Sequence, residues 1–131
     1  MNQPRPRVLD VGNCDPDHAS IRRMLAGAFD IDIDRVMFVR EAIDALSRKS
    51  YDLVLVNRLI FADGSDSLPL IEHMKKDERL RDVPVMMVSN FDDAQRRAMA
   101  AGAVRGFGKA DLGDPATIAK LRPYLVGVTT R

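Results

Sequence analysis

The sequence predicts an α/β domain: a five-stranded parallel sheet covered by helices on both faces. Three observations predict it. Short apolar runs alternate with amphipathic stretches along the whole chain. Two of those runs, Leu53–Val56 (LVLV) and Val85–Val88 (VMMV), are apolar at every position, and a strand apolar on both faces is buried on both faces, as inside a parallel sheet. Proline, glycine and aspartate punctuate the joins.

The elements follow in order. Arg7–Gly12 (RVLDVG) reads as the first strand, bounded by Gly12 and Asn13. Asp15 suits an N-cap with Pro16 at the first helical position, and Ile21, Met24, Leu25 and Ala28 recur at helical spacing. Val36–Val39 (VMFV) reads as the second strand and Glu41–Lys49 as the next helix, with Ala42, Ala45 and Leu46 on its inner face. After Leu53–Val56, residues Asn57–Asp66 form a loop around the Asp63-Gly64 turn. Leu68–Lys76 is a helix. After Val85–Val88, Asp92–Ala101 is helical and closes at Gly102. Gly106–Gly108 reads as a fifth strand, and Asp114 and Pro115 open a last helix to Leu125.

Five strands alternating with five helices form a three-layer αβα sandwich. At this length they suit the flavodoxin-like strand order 2-1-3-4-5. The domain is expected over 7–125, with 1–6 and 126–131 as loose tails. The chain has 131 residues, 46% hydrophobic and 30% charged, with 20 basic and 19 acidic side chains and a net charge of +1. That length holds one domain. The near balance of charge argues against nucleic acid as a partner, and no apolar run is long enough to span a bilayer. Cys14 is the single cysteine, which rules out an internal disulfide and suits a cytoplasmic location.

In such a sheet, function gathers at the carboxyl ends of the strands, where the strand order reverses. The residues expected there are Asn13, Cys14 and Asp15, then Asn57 and Arg58, then Ser89 and Asn90, then Lys109.

The segments VLDVGNCDPDHASIRRML, YDLVLVN, PVMMVSN and AGAVRGFGK, in this order and spacing, resemble the receiver domain of two-component response regulators. The resemblance runs from about Arg7 to Leu125. In that family an acidic pair after the first strand holds Mg²⁺, and an aspartate ending the third strand accepts a phosphoryl group from a histidine kinase. A Ser or Thr after the fourth strand and a Lys after the fifth contact the phosphoryl oxygens. Ser89 and Lys109 match. Asn13 and Cys14 fall at the acidic pair and Asn57 at the acceptor. Ala110 replaces the usual proline, and Gly106 takes the place of the switch aromatic, with Phe107 facing the other way.

A carboxylate oxygen is the nucleophile in aspartyl phosphorylation, and the Asn57 amide is a very poor substitute. Mg²⁺ prefers hard, anionic oxygens, so Asn13 and Cys14 imply weak or absent Mg²⁺ binding and no resident cofactor or metal. Lys109, deprived of its usual counter-ions, is expected to turn to Asp15 or amide oxygens. Ser89 and Lys109 then read as relics, His18 and His73 as solvated or packed, Arg58 as exposed surface, and Cys14 as a packed thiol with a redox role as the rival.

The expected function is a non-enzymatic protein-interaction module of two-component phosphorelay signalling. Its partner surface, by family analogy, is Arg96, Arg97, Met99, Ala100, Val104, Arg105, Ile118, Leu121 and Arg122. The alternatives are an active phosphorelay response regulator with an atypical site and a small-ligand sensor. Oligomeric state is left open.

Overall fold

A computed structural model describes residues 5–126. Its elements are β1 (Arg7–Val11), α1 (Asp15–Ala28), β2 (Asp32–Val36), α2 (Val39–Arg48), β3 (Leu53–Asn57), α3 (Leu68–Lys76), β4 (Val85–Val88), α4 (Asp92–Ala100), β5 (Val104–Phe107) and α5 (Pro115–Leu125). The strands are all parallel, in the order β2-β1-β3-β4-β5. The predicted α/β sandwich and its strand order are both present.

Strand side chains alternate between two cores. Leu9 and Val11 of β1, Val54 and Val56 of β3, and Val85 and Met87 of β4 face α2, α3 and α4. Val8, Leu53, Leu55, Met86 and Val88 face α1 and α5, where Ile21, Leu25 and Leu121 pack against them. All these residues are essentially removed from water. At roughly 25 cal/mol per Å² of apolar surface, such double burial of β1, β3 and β4 is the main force holding the sheet together. Asp10 sits on the α1 and α5 side of β1 with no exposure at all, a carboxylate inside an apolar layer.

The second strand and its helix lie earlier than the sequence suggests. The strand is Asp32–Val36 and not Val36–Val39, and α2 begins at Val39. As an edge strand it needs no continuous apolar run, and DIDRV pairs rung by rung with β1 from Arg7↔Asp32 to Val11↔Val36. The fifth strand also starts earlier, at Val104. Cys14, not Asp15, is the N-cap of α1. Residues 1–4 and 127–131 of the expected tails lie outside the described residues. Residues 5 and 6 are tied down: Pro6 O accepts from Asp32 N at 2.9 Å, and an Arg5 guanidinium nitrogen donates to Ile31 O at 3.0 Å.

Candidate functional site

The register places the carboxyl ends of β1, β3 and β4 side by side. Val11 pairs with Val56, and Asn57 with Val88. Gly12 is therefore level with Asn57 and beside it. Of the residues expected after β1, Asn13 adjoins this point, whereas Cys14 has already entered the α1 cap.

Asn57 is fully engaged by its own loop. Its Nδ2 donates to Leu59 O at 2.6 Å and, at 3.4 Å, to Gly12 O; its Oδ1 accepts from Arg58 N at 3.0 Å. The loop is tied down further by Phe61 N donating to Gly12 O at 2.9 Å and Ile60 N donating to Ser65 O at 2.8 Å. These bonds turn Ile60 inward, where it is fully buried. Its Cδ1 lies 2.5 Å from where a Cβ on Gly12 would stand. Gly12 also has φ +75°, a left-handed backbone that side-chain-bearing residues adopt only at a cost. Glycine at position 12 thus satisfies two demands: the turn out of β1 and the space taken by Ile60.

Asn13 faces inward and is completely buried. Its Nδ2 donates to Asp10 Oδ1 at 2.5 Å, and His18 Nδ1 contacts Asp10 Oδ2, also at 2.5 Å. The opposite amide orientation would set two oxygens against each other, so Asp10 fixes how Asn13 points. An Arg35 guanidinium nitrogen on β2 donates to Asn13 O at 2.9 Å and pairs with Asp15 at 2.8 Å. Asp15 is therefore an ion-pair partner of Arg35 instead of the helix cap.

Lys109 pairs with Asp17, Nζ to Oδ2 2.7 Å, and not with Asp15. The Lys109 ammonium holds the Asp17 carboxyl below the usual carboxylate range, against a smaller opposing effect of burial and with help from the Cys14 thiol. Ser89 Oγ accepts from Phe91 N at 3.2 Å, a local turn bond.

Three cationic or protonatable side chains, His18, Arg35 and Lys109, are thus each matched to an aspartate inside the chain. The residues present do not fit a hard divalent ion. Gly12 offers no ligand, Asn13 turns its amide to Asp10, Asn57 turns its amide to its loop, and among the described residues no three His, Cys, Asp or Glu side chains converge on a possible metal position. Asp10, Gly12, Asp17, His18 and Ile60 were not singled out from the sequence for this site. The signal for the first was available: an aspartate inside the apolar run VLDV demands a buried partner.

The expected partner surface is spread over α4, β5 and α5. Arg96 and Arg105 both pair with Asp92. Arg97, Ala100, Val104 and Arg122 are exposed, and Met99 and Ile118 are half-buried. Leu121 does not belong to it: it is fully buried in the core under α1 and α5, because the inner face of α5 must close that layer. Phe107 turns into the same core, as expected. Gly106 lies against β4, where a Cβ would come within 2.0 Å of Met87 O. Here the β4–β5 register shifts, and Gln95 of α4, itself 4% exposed, bridges the gap. Its Nε2 donates to Met87 O at 2.9 Å and Ser89 O at 3.1 Å, and its Oε1 accepts from Gly106 N at 2.9 Å.

No protein-family model and no curated protein matches the sequence. Solved structures do match in fold. A Chloroflexus aurantiacus protein provisionally named a response regulator superposes with a TM-score of 0.81 at 18% identity, over 93% of this chain and 98% of that one. The signal receiver domain of a DNA-binding response regulator of Colwellia psychrerythraea gives 0.76 at 20% identity, over 90% and 96%. The Mn²⁺-bound form of response regulator Rcp1 gives 0.74 at 16% identity, over 98% and 99%. The chain has the flavodoxin-like fold of signal receiver domains.

Proposed function

We propose that residues 7–125 form a receiver-like domain that acts in two-component signalling as a non-catalytic, cytoplasmic protein-interaction module. The observation that carries this reading is the state of Asn57. Its side chain is an amide, its hydrogen-bonding groups are taken by Leu59, Gly12 and Arg58, and the residue level with it is a glycine covered by Ile60. Aspartyl phosphorylation needs a carboxylate nucleophile and a metal to offset developing charge. Neither demand is met by these residues. The buried Asp10 is hydrogen-bonded by Asn13 and His18, and Asp17 is paired with Lys109, so the domain does not wait on a metal to reach its folded form. The α4–β5–α5 face, without Leu121, then serves a protein partner constitutively, or under control of that partner's abundance.

Incubation with acetyl phosphate and Mg²⁺ followed by intact-mass measurement tests this. The expected result is an unchanged mass. A stable gain of one phosphate would instead establish an active relay with an atypical acceptor.

A further inference from the structure

The chain has five phenylalanines and no tryptophan, and three of the five stand on the carboxyl-edge loops instead of in the core. Phe38 follows β2, Phe61 follows β3 and Phe91 follows β4. Phe61 is 65% exposed, Phe91 58% and Leu59 38%. Burying a phenyl ring is worth about 1.5–3 kcal/mol, so two exposed rings on one edge of a small domain call for an explanation. Leu59 and Phe61 flank the buried Ile60: Leu59 sits in an isolated bridge to Asp66, and Phe61 opens the turn closed by Gly64 N donating to Ile60 O at 2.7 Å.

Two arginines accompany these rings. The Arg58 guanidinium lies 5.0 Å from the Phe91 centroid, and that of Arg40 lies 4.4 Å from the Phe38 centroid. Stacking of this kind fixes the guanidinium plane and leaves its N–H edge available. Neither guanidinium has an ion pair or a hydrogen bond among the described residues. Arg5, Arg35, Arg48, Arg79, Arg96 and Arg105 pair with carboxylates; Arg58 and Arg40 are set apart from the remaining free arginines by their place on the carboxyl edge beside a phenyl ring.

We propose that this edge is a docking surface for an acidic, apolar segment of a protein partner, with a partner carboxylate on Arg58 and its apolar side chains on Phe91, Leu59 and Phe61. The assignment rests on the reading of the chain as an interaction module and names a surface separate from the α4–β5–α5 face. Charge complementarity decides the occupant. A stacked, unpaired guanidinium presents two parallel donors that match a carboxylate bidentately, and aromatic rings beside arginine are the composition of energetically dominant interface residues. Arg40 and Phe38 repeat the same pairing at the end of β2.

The test is an amide chemical-shift titration of the full chain with two synthetic hexapeptides, one alternating glutamate with leucine and one alternating lysine with leucine. The glutamate peptide is expected to shift the amides of Arg58, Leu59, Phe61 and Phe91 saturably. Arg58→Ala and Phe91→Ala should each weaken that binding by about tenfold, with Arg58→Lys intermediate because it keeps the charge and loses the fork. Phe91 is exposed and Arg58 half-buried, and neither belongs to the core, so the spectra of the variants should otherwise overlay the parent's. Equal binding of the lysine peptide, or no shift at millimolar glutamate peptide, would overturn the proposal. Shifts confined to α4, β5 and α5 would overturn it while sparing the broader module reading. Phosphate gain from acetyl phosphate would do the reverse.

Discussion

Ile60 occupies the space that a side chain on residue 12 would need: its Cδ1 comes within 2.5 Å of a Cβ built on Gly12, and its Cα within 3.2 Å. The proposed absence of acceptor chemistry at Asn57 therefore rests on more than one residue. The loop after β3 has folded over the gap, anchored by Phe61 N on Gly12 O. Restoring one carboxylate should not restore the chemistry. In Asn57→Asp the new carboxylate cannot donate to Leu59 O and repels it, which should cost about 1–3 kcal/mol at neutral pH. Part of that cost should return in acid, where a protonated carboxyl donates again. Urea unfolding at two pH values measures it, and intact mass after acetyl phosphate should still be unchanged.

Millimolar Mg²⁺ with beryllofluoride should leave the melting temperature within about 1 °C of the metal-free value, because a ligand stabilises only in proportion to its binding to the folded state. The buried Asp10 is already bonded by His18 and the half-buried Asp17 by Lys109, while the exposed Asp15 pairs with Arg35. A rise of several degrees in a thermal melt would show that a divalent site forms despite Gly12 and Asn13.

The fold was legible where burial is symmetric. LVLV and VMMV are apolar throughout because β3 and β4 are covered on both faces, and both strands fall where the pattern puts them. It was not legible where a strand is an edge. In DIDRV every residue is half-exposed, and the neighbouring VMFV run, which reads as a strand, is mostly the turn into α2. For the candidate site, the place of Asn57, Asn13, Ser89 and Lys109 at the carboxyl ends of the strands was legible. Their partners were not, since Asp17 for Lys109 and Asp10 for Asn13 depend on how α1 is rotated over the sheet. Gln95 gave no signal: a glutamine among alanines on α4 looks solvated until the β4–β5 register slips beneath it.

That slip makes Gln95 a structural link between α4, β4 and β5. Replacing it by leucine leaves Gly106 N–H without its acceptor and removes the donor shared by Met87 O and Ser89 O. About 1–3 kcal/mol is expected for stranding a buried polar group, so Gln95→Leu should lower stability by about 3 kcal/mol. Hydrogen exchange should rise at Gly106 first. Unaffected exchange there would mean that the amide bridges are not formed in solution.

The Lys109–Asp17 pair predicts a pH dependence. Both side chains are about one-third exposed, 33% and 28%, so the pair should contribute about 1 kcal/mol. The Asp17 carboxyl is held down mainly by its bond to Lys109. Its stabilising effect is therefore complete above the unfolded carboxylate value, about 4, and disappears as pH falls through the lower folded value. Lys109→Met should be less stable than the parent at pH 7 and converge on it in strong acid. Parallel curves across that range would assign the stability of this corner to packing alone.

Tyr51 gives the opposite slope at the other end of the scale. Its hydroxyl donates to Asp34 Oδ2 at 2.7 Å from a ring only 7% exposed. Burial first, and the Asp34 carboxylate second, push the phenol well above its ordinary value. A raised folded value means that the stabilisation is whole below the unfolded tyrosine value, about 10, and declines as pH climbs from there toward the folded one. Tyr51→Phe should cost about 1 kcal/mol at pH 7 through the lost hydrogen bond, and the gap between parent and variant should narrow above pH 10. Urea unfolding of both proteins at neutral and alkaline pH checks it, with absorbance near 295 nm reporting the phenolate directly. A gap that stays constant through the alkaline range would place Tyr51 in ordinary contact with water.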